Sequence, residues 1–383
     1  MLSKPEAACF VIADITGYTS FLAGVELEHA QDIIADVMGT VVKCLRPPFR
    51  LAKLEGDAAF VYAAADKIDG STLQDAIESA YIAFRKRLRN VKQASSCTCA
   101  ACSQMQKLDL KFVSHQGEFI KQRMAGREEI AGRDVIVVHR LLKNAVSERL
   151  GGHAYALYSD ACIQAMGIDP AAQGLVEHRE QIDIIGDVKC WVRDLEAAWK
   201  RENDSQRSEV TRDKAAMVIE FDIAAPRPVV WEHFTRPGLR TKWRGADEVR
   251  EASESGRRGV GTTNHCMHGA QAIIEEVLDW RPFDYLTLTT LVPLPGAPKV
   301  LMSYRFSETA GGGTHIAILL AKPKPKDKEF LEKVGGNFKT HITDEVAALR
   351  LMLEGQGADP AAVEEAALPA SAERFLTQPV PAH

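Results

Sequence analysis

The chain is predicted to be an α+β protein of two domains, on three observations. Strand-length apolar runs alternate with stretches of helical period between residues 7 and 195. A segment dense in charge and poor in apolar residues, 201–214, then interrupts the pattern. Beyond it come a strand, a short helix, a succession of strands separated by turn residues and one long helix. The expected organisation is a first domain at 1–200, a linker at 201–214, a second domain at 215–355 and an Ala/Pro-rich tail at 356–383.

In the first domain, Cys9 to Ala13 is a buried-strand run that ends on the carboxylate of Asp14. Thr19 to Cys44 follows with apolar residues three and four apart (Ile33, Ile34, Val37, Met38, Val41), and Arg46-Pro47-Pro48 ends that helix. Phe49–Leu54 and Ala58–Ala65 read as a hairpin turning at Glu55-Gly56-Asp57. If the first strand and the hairpin are neighbours, Asp14 and Asp57 converge. Two acids at adjoining strand ends repel unless something positive lies between them, so the pair points to magnesium or manganese carrying a nucleotide phosphate. The alternative is that Asp14 caps the next helix and Asp57 completes a turn.

Asp75–Val91 is a helix, Leu108–His115 a strand and 132–148 a helix; 154–158 is a strand, 160–167 a helix and 180–195 a closing strand pair. In the second domain, Val218–Ala224 is a strand and Ala225-Pro226-Arg227-Pro228 opens a helix. Strands at 261–268, 272–280, 285–291, 300–308 and 314–322 precede a helix from Asp327 to Leu353. That order implies an antiparallel sheet curved around the last helix, with a cavity between them.

Composition excludes several classes. With 46% hydrophobic and 26% charged residues the chain is globular, and a net charge of −5 gives no electrostatic reason for a nucleic-acid partner. No apolar run approaches the roughly 18–20 residues of a membrane span, and Met1 to Glu6 has no signal-peptide pattern, so a cytoplasmic location is expected. The eight cysteines are spread as in a reduced protein. Cys97, Cys99 and Cys102, spaced C-x-C-x-x-C, are either a candidate zinc site short of a fourth ligand or free thiols.

Four pieces in order carry a family resemblance: Asp14-Ile15-Thr16-Gly17-Tyr18-Thr19, Lys53-x-x-Gly56-Asp57, His115-x-Gly117-Glu118, and the stretch Glu129 to Arg140. Together they resemble class III nucleotidyl cyclase domains, which have a ferredoxin-like βαββαβ core. The resemblance implies a homodimer that shares its site and a nucleoside triphosphate as ligand. It makes Asp14, Ile15 and Asp57 the metal ligands, with Gly17, Tyr18 and Thr19 beside the phosphates. It puts Lys53 and Glu129 at the base and Arg140 at the transition-state phosphate. Two departures stand out. Ile136 occupies the place of the family's ribose-holding Asn, and Asp183 falls where a pyrophosphate-binding Lys belongs. Losing one preorganised donor commonly costs about 10²–10³ in rate, so weak or absent cyclase activity is expected, with an active adenylate cyclase as the alternative.

The second domain resembles the START-like superfamily of lipid-binding and polyketide-cyclase-like domains. The likeness rests on Ala225-Pro226-x-x-Val229-Val230-Trp231, Pro237 with Trp243, Gly259-Val260-Gly261-Thr262, Trp280-Arg281-Pro282-Phe283 and Gly312-Gly313-Thr314. It implies a small apolar ligand within a helix-grip fold. The candidate pocket residues are Trp231, Phe234, Trp243, His265, His268, Trp280, Phe283 and Tyr304. A sensor coupling the two domains is the expected role; a catalytic second domain dimerised by the first is the other option.

Overall fold

A computed structural model describes residues 4–94, 100–124, 126–151, 154–204, 207–294 and 296–355. The chain falls into two compact units that divide between residues 205 and 206. Each is α+β.

The first unit begins with strand β1 (Glu6–Thr16), then helices α1 (Tyr18–Ala23) and α2 (Leu27–Leu45), and the hairpin β2 (Arg50–Glu55) and β3 (Ala58–Ala64). Next come α3 (Gly70–Ala94), α4 (Ala100–Gln104), the long strand β4 (Asp109–Met124), β5 (Arg127–Ala131), α5 (Arg133–Leu141) and α6 (Val146–Leu150). The unit closes with β6 (Tyr155–Ser159), α7 (Asp160–Ala165), β7 (Val176–Ile182), β8 (Gly186–Asp194) and α8 (Leu195–Asp204). The sheet runs β2-β3-β1-β4-β6-β8-β7, with β5 paired only to β4. Only the β4–β6 pairing is parallel among the described ladders of this unit.

Strand β1 is central and buried on both faces, which is why it reads as a continuous apolar run rather than an alternating one. Cys9, Val11, Ala13 and Ile15 face a core with Val37, Val41, Ile77, Tyr81 and Phe84 of α2 and α3. Ala8, Phe10 and Ile12 face a second core with Val137, Val138 and Leu141 of α5. By this alternation Asp14 belongs to the α5 side.

Several boundaries differ from the sequence reading. The helix expected over 19–44 is two helices, because the first closes at Gly24, whose N–H bonds the Phe21 carbonyl. The helix expected over 132–148 stops at Leu141 and resumes at Val146, and β5, unforeseen, takes Glu129. Helix α8 takes residues 201–204 of the segment read as linker. Further along that segment, Val210 is buried, its N–H bonded to Ser303 Oγ at 2.8 Å, and Glu209 pairs with Arg305 at 2.6 Å. Those charges are spent on the second unit's sheet.

The second unit contains β9 (Ala215–Ile223), α9 (Arg227–Thr235), α10 (Pro237–Arg244), β10 (Glu248–Ala252), β11 (Thr263–His268), β12 (Gln271–Arg281), β13 (Tyr285–Leu291), β14 (Val300–Glu308), β15 (Thr314–Ala321) and α11 (Lys328–Glu354). Its sheet runs β10-β11-β12-β13-β14-β15-β9, antiparallel throughout. Ile342, Val346, Leu349 and Met352 of α11 pack on one face, with Leu286, Leu288, Tyr304, Phe306, Ile316 and Ile318. Helix α10 and strand β10 were not read from sequence. Among the described residues no helix is long and apolar enough to cross a membrane.

Candidate functional site

The ladder between β1 and β3 sets Asp14 opposite Ala58, so Asp57, one residue earlier at the hairpin turn, lies at the same strand end. Gly56 makes this turn possible: its φ of 68° lies in the left-handed region. The Ile15 N–H then donates to the Asp57 carbonyl at 3.2 Å, tying turn to strand. Burial pushes the Asp14 carboxyl above its ordinary value; Lys111 pulls it back down and Asp57 pushes it up. Burial also raises Asp57, opposed by a backbone hydrogen bond and by Lys111. Lost water thus disfavours the charged form of both carboxylates, and Asp57 adds to that effect on Asp14.

Lys111, across the β1–β4 ladder from Asp14, puts its Nζ 3.2 Å from Asp14 Oδ2 and 3.3 Å from the Leu142 carbonyl. Sequence reading missed it. The available signal was a lysine among Leu110, Phe112 and Val113 in a core strand; its partner emerges only from strand pairing.

Among the described residues no group of three or more His, Cys, Asp or Glu could hold a metal ion. Magnesium usually takes one or two carboxylates and completes its shell with water and substrate phosphates. Asp14 and Asp57 fit that pattern when a phosphate arrives with the ion, but they fit a bare cation poorly, because Lys111 already supplies one positive charge. The Ile15 side chain is buried in the core, so only its main chain is open to such a role.

The other expected residues lie on α1, β2, β5 and α5. Gly17 starts α1 in the left-handed conformation, Tyr18 packs against the α2–α3 core and Thr19 is exposed. Lys53 is exposed on β2, 3.5 Å from Glu55, which is itself 3.1 Å from His139 Nε2 of α5. Glu129 pairs with Gln122 near the far end of β4 from Lys111. At ~3.3 Å per residue the eleven steps from Lys111 to Gln122 span at most roughly 36 Å. Arg140 and Ile136 share the exposed face of α5, where Ile136 is 57% exposed.

The His-x-Gly-Glu stretch has a packing explanation. The Asp134 carboxylate accepts the Glu118 N–H at 2.7 Å, and a Cβ on Gly117 would come within 2.3 Å of Asp134. Gly132 has the matching constraint: a Cβ added there would lie 2.8 Å from the Glu118 carbonyl oxygen. The two glycines let α5 dock on β4. His115 is buried, with Nδ1 2.8 Å from Ser159 Oγ, and burial lowers its pKa. Cys97 and Cys99 of the zinc motif lie outside the described residues; Cys102 is in α4.

In the second unit, Trp231 meets Trp280, Phe283 and Phe306 edge-on at 4.9–6.0 Å in the core. Phe234, Trp243 and Tyr304 line a void of about 20 Å³, while a cavity of about 280 Å³ lies between the sheet and α11, lined by other residues. His265 is exposed and His268 half-buried. Beside the small void is a buried ionic cluster invisible in the sequence. Arg240 and Arg244 both bind Glu275, at 2.5 and 2.7 Å, and Arg244 also binds Glu345 at 3.2 Å. Despite burial, the two guanidiniums hold the Glu275 carboxyl down to about 2.

Residues 34–149 match the family described as "Protein of unknown function (DUF2652)". Over 100 residues, 25% of this chain, the sequence is 43% identical to "Uncharacterized protein Rv2561/Rv2562" of Mycobacterium tuberculosis (strain ATCC 25618 / H37Rv), and the match spans 45% of that relative's length. Among solved structures, the chain is similar to the guanylyl cyclase Cya2, at 14% identity and a TM-score of 0.38, covering 50% of this chain and 93% of that one. It is similar also to the adenylyl cyclase CyaB from P. aeruginosa, at 19% identity and a TM-score of 0.37, covering 51% and 97%.

Proposed function

We propose that the first unit is a cyclase-like domain that holds magnesium or manganese with a nucleoside triphosphate at Asp14 and Asp57, and turns it over weakly or not at all. The second unit, a START-like domain, binds a small apolar ligand, and the two act together as a sensor in a homodimer. The observation that carries the reading is the placing of two carboxylates at one strand end, Asp14 on β1 and Asp57 at the adjoining turn, both raised above their ordinary pKa. Such a pair is relieved by a divalent cation. Gly17 to Thr19 follow directly on β1 and would meet the phosphates. Lys53, Glu129 and Arg140 would complete the site across a homodimer, a reading supported by the placing of Glu129 eleven residues along β4 from the partner of Asp14. Low turnover follows from Ile136, which has no hydrogen bond to offer a ribose, and from Asp183, an acid where a triphosphate needs a base.

Calorimetric titration with ATP and GTP, with and without manganese, on the wild type and Asp14→Ala tests it. A metal-dependent signal lost in the mutant supports the reading, and equal behaviour of the two proteins removes it. One observation favours a second reading, in which the first unit is a scaffold that only dimerises the second. Lys111 already compensates Asp14 without a metal.

A further inference from the structure

The cavity of about 280 Å³ has walls of Met217, Val292, Val300, Met302, Leu320 and Phe338, with Lys328 and Glu332 also lining it and largely exposed. That is nearly twice the ~150 Å³ cavity known to take up benzene, so a two-ring or roughly ten-carbon body fits. One end of this space is polar. A further void of about 10 Å³, lined by Arg244, Tyr304 and His341, shares Thr290, Val292, Met302 and Phe338 with the larger cavity. The buried Thr290 hydroxyl points at Met302 Sδ, 3.6 Å away, a weak acceptor that a ligand oxygen would better replace.

Charge balance decides what that end accepts. The cluster contains two guanidiniums, Arg240 and Arg244, and two carboxylates, Glu275 and Glu345, already bound to one another. His341 Nε2 is 3.3 Å from Glu345 Oε1. The four bound groups sum to no net charge, and Arg244, the guanidinium that lines the small void, is already spent on Glu275 and Glu345, so a ligand carboxylate or ammonium would enter as a buried ion without a free counter-charge in the cluster. A hydroxyl or carbonyl needs only a hydrogen bond.

We infer that the second unit binds an uncharged amphipathic molecule, with an apolar body of about two rings in the α11 cavity and one hydroxyl or carbonyl at Thr290, and that it discriminates against the matching acid. This rests on the reading of the second unit as a ligand-binding domain. The test is calorimetric titration of the full chain at pH 7.5 with 2-naphthol, 2-naphthoate and 2-methylnaphthalene. 2-Naphthol binds at least about tenfold tighter than 2-naphthoate. Thr290→Val weakens 2-naphthol by roughly three- to tenfold and leaves 2-methylnaphthalene unchanged. Val300→Trp, which fills the cavity, removes binding of both; Met217→Trp, on β9 of the same sheet, replaces it if circular dichroism shows that variant unfolded. Equal or tighter binding of 2-naphthoate overturns the inference alone. Absence of binding by all three probes, or binding unchanged in the filled variant, overturns the ligand-domain reading with it.

Discussion

Lys111 sets its ammonium 3.2 Å from Asp14 Oδ2, from the position facing it across the β1–β4 ladder. It thereby stands where the charge of a cation would be felt by Asp14 and Asp57 together.

Lys111→Met removes the compensation and leaves two half-buried carboxylates at one strand end. The expected loss is about 1–3 kcal/mol at neutral pH, below the figure for a fully buried pair because water reaches the site. Urea denaturation at pH 7 measures it. Under the cation-site reading, manganese with ATP restores most of the loss; restoration absent, the scaffold reading gains.

Both aspartates are raised above the ordinary 3.8, so folding favours their protonated forms. Their contribution to stability is fully present below that value and is lost as pH rises through the raised values. Asp57→Asn therefore melts higher than wild type at pH 7, and the advantage shrinks as pH is lowered toward 4. A constant difference across that range would contradict the assigned shift.

Glu275 behaves in the opposite sense. Its carboxyl is held down from 4.5 to about 2, so the stabilisation it supplies is present above pH 4.5 and lost as pH falls through about 2. Glu275→Gln strands Arg240 and part of Arg244 in the core, with an expected cost of about 3–5 kcal/mol by denaturant titration. A variant as stable as wild type would mean the cluster is hydrated.

Ile136→Asn restores a hydrogen-bonding group to the exposed face of α5. If the site has decayed from an active one, cyclic AMP formation from ATP and manganese rises by up to about 10²-fold. No gain, with no nucleotide bound before or after, supports the scaffold.

Gly117→Ala drives a Cβ to within 2.3 Å of Asp134, which cannot retreat without releasing the Glu118 N–H. The expected cost is about 1–3 kcal/mol, read from thermal melting, with Gly56→Ala compared as a change that meets no neighbour but must hold a positive φ.

Much of the fold was legible locally. The β1 run, the Glu55-Gly56-Asp57 turn, the α9 start at Pro226-Arg227-Pro228 and the span of α11 follow from periodicity and turn chemistry, which act over a few residues. Boundaries slipped where a short break was decisive, as at Gly24 and between Leu141 and Val146. The segment read as linker misled for another reason: Glu209 looks solvated until Arg305, far along the chain, is placed beside it.

What the sequence determined by itself is the two-part α+β order and the placing of Asp14 and Asp57 at one strand end, because hydrophobic period and turn residues select strand neighbours. What only the tertiary structure decided is the electrostatics of both sites: Lys111 against Asp14, and Glu275 between Arg240 and Arg244. Charge interactions depend on distance and burial through space, and those pairs lie 97, 35 and 31 residues apart along the chain.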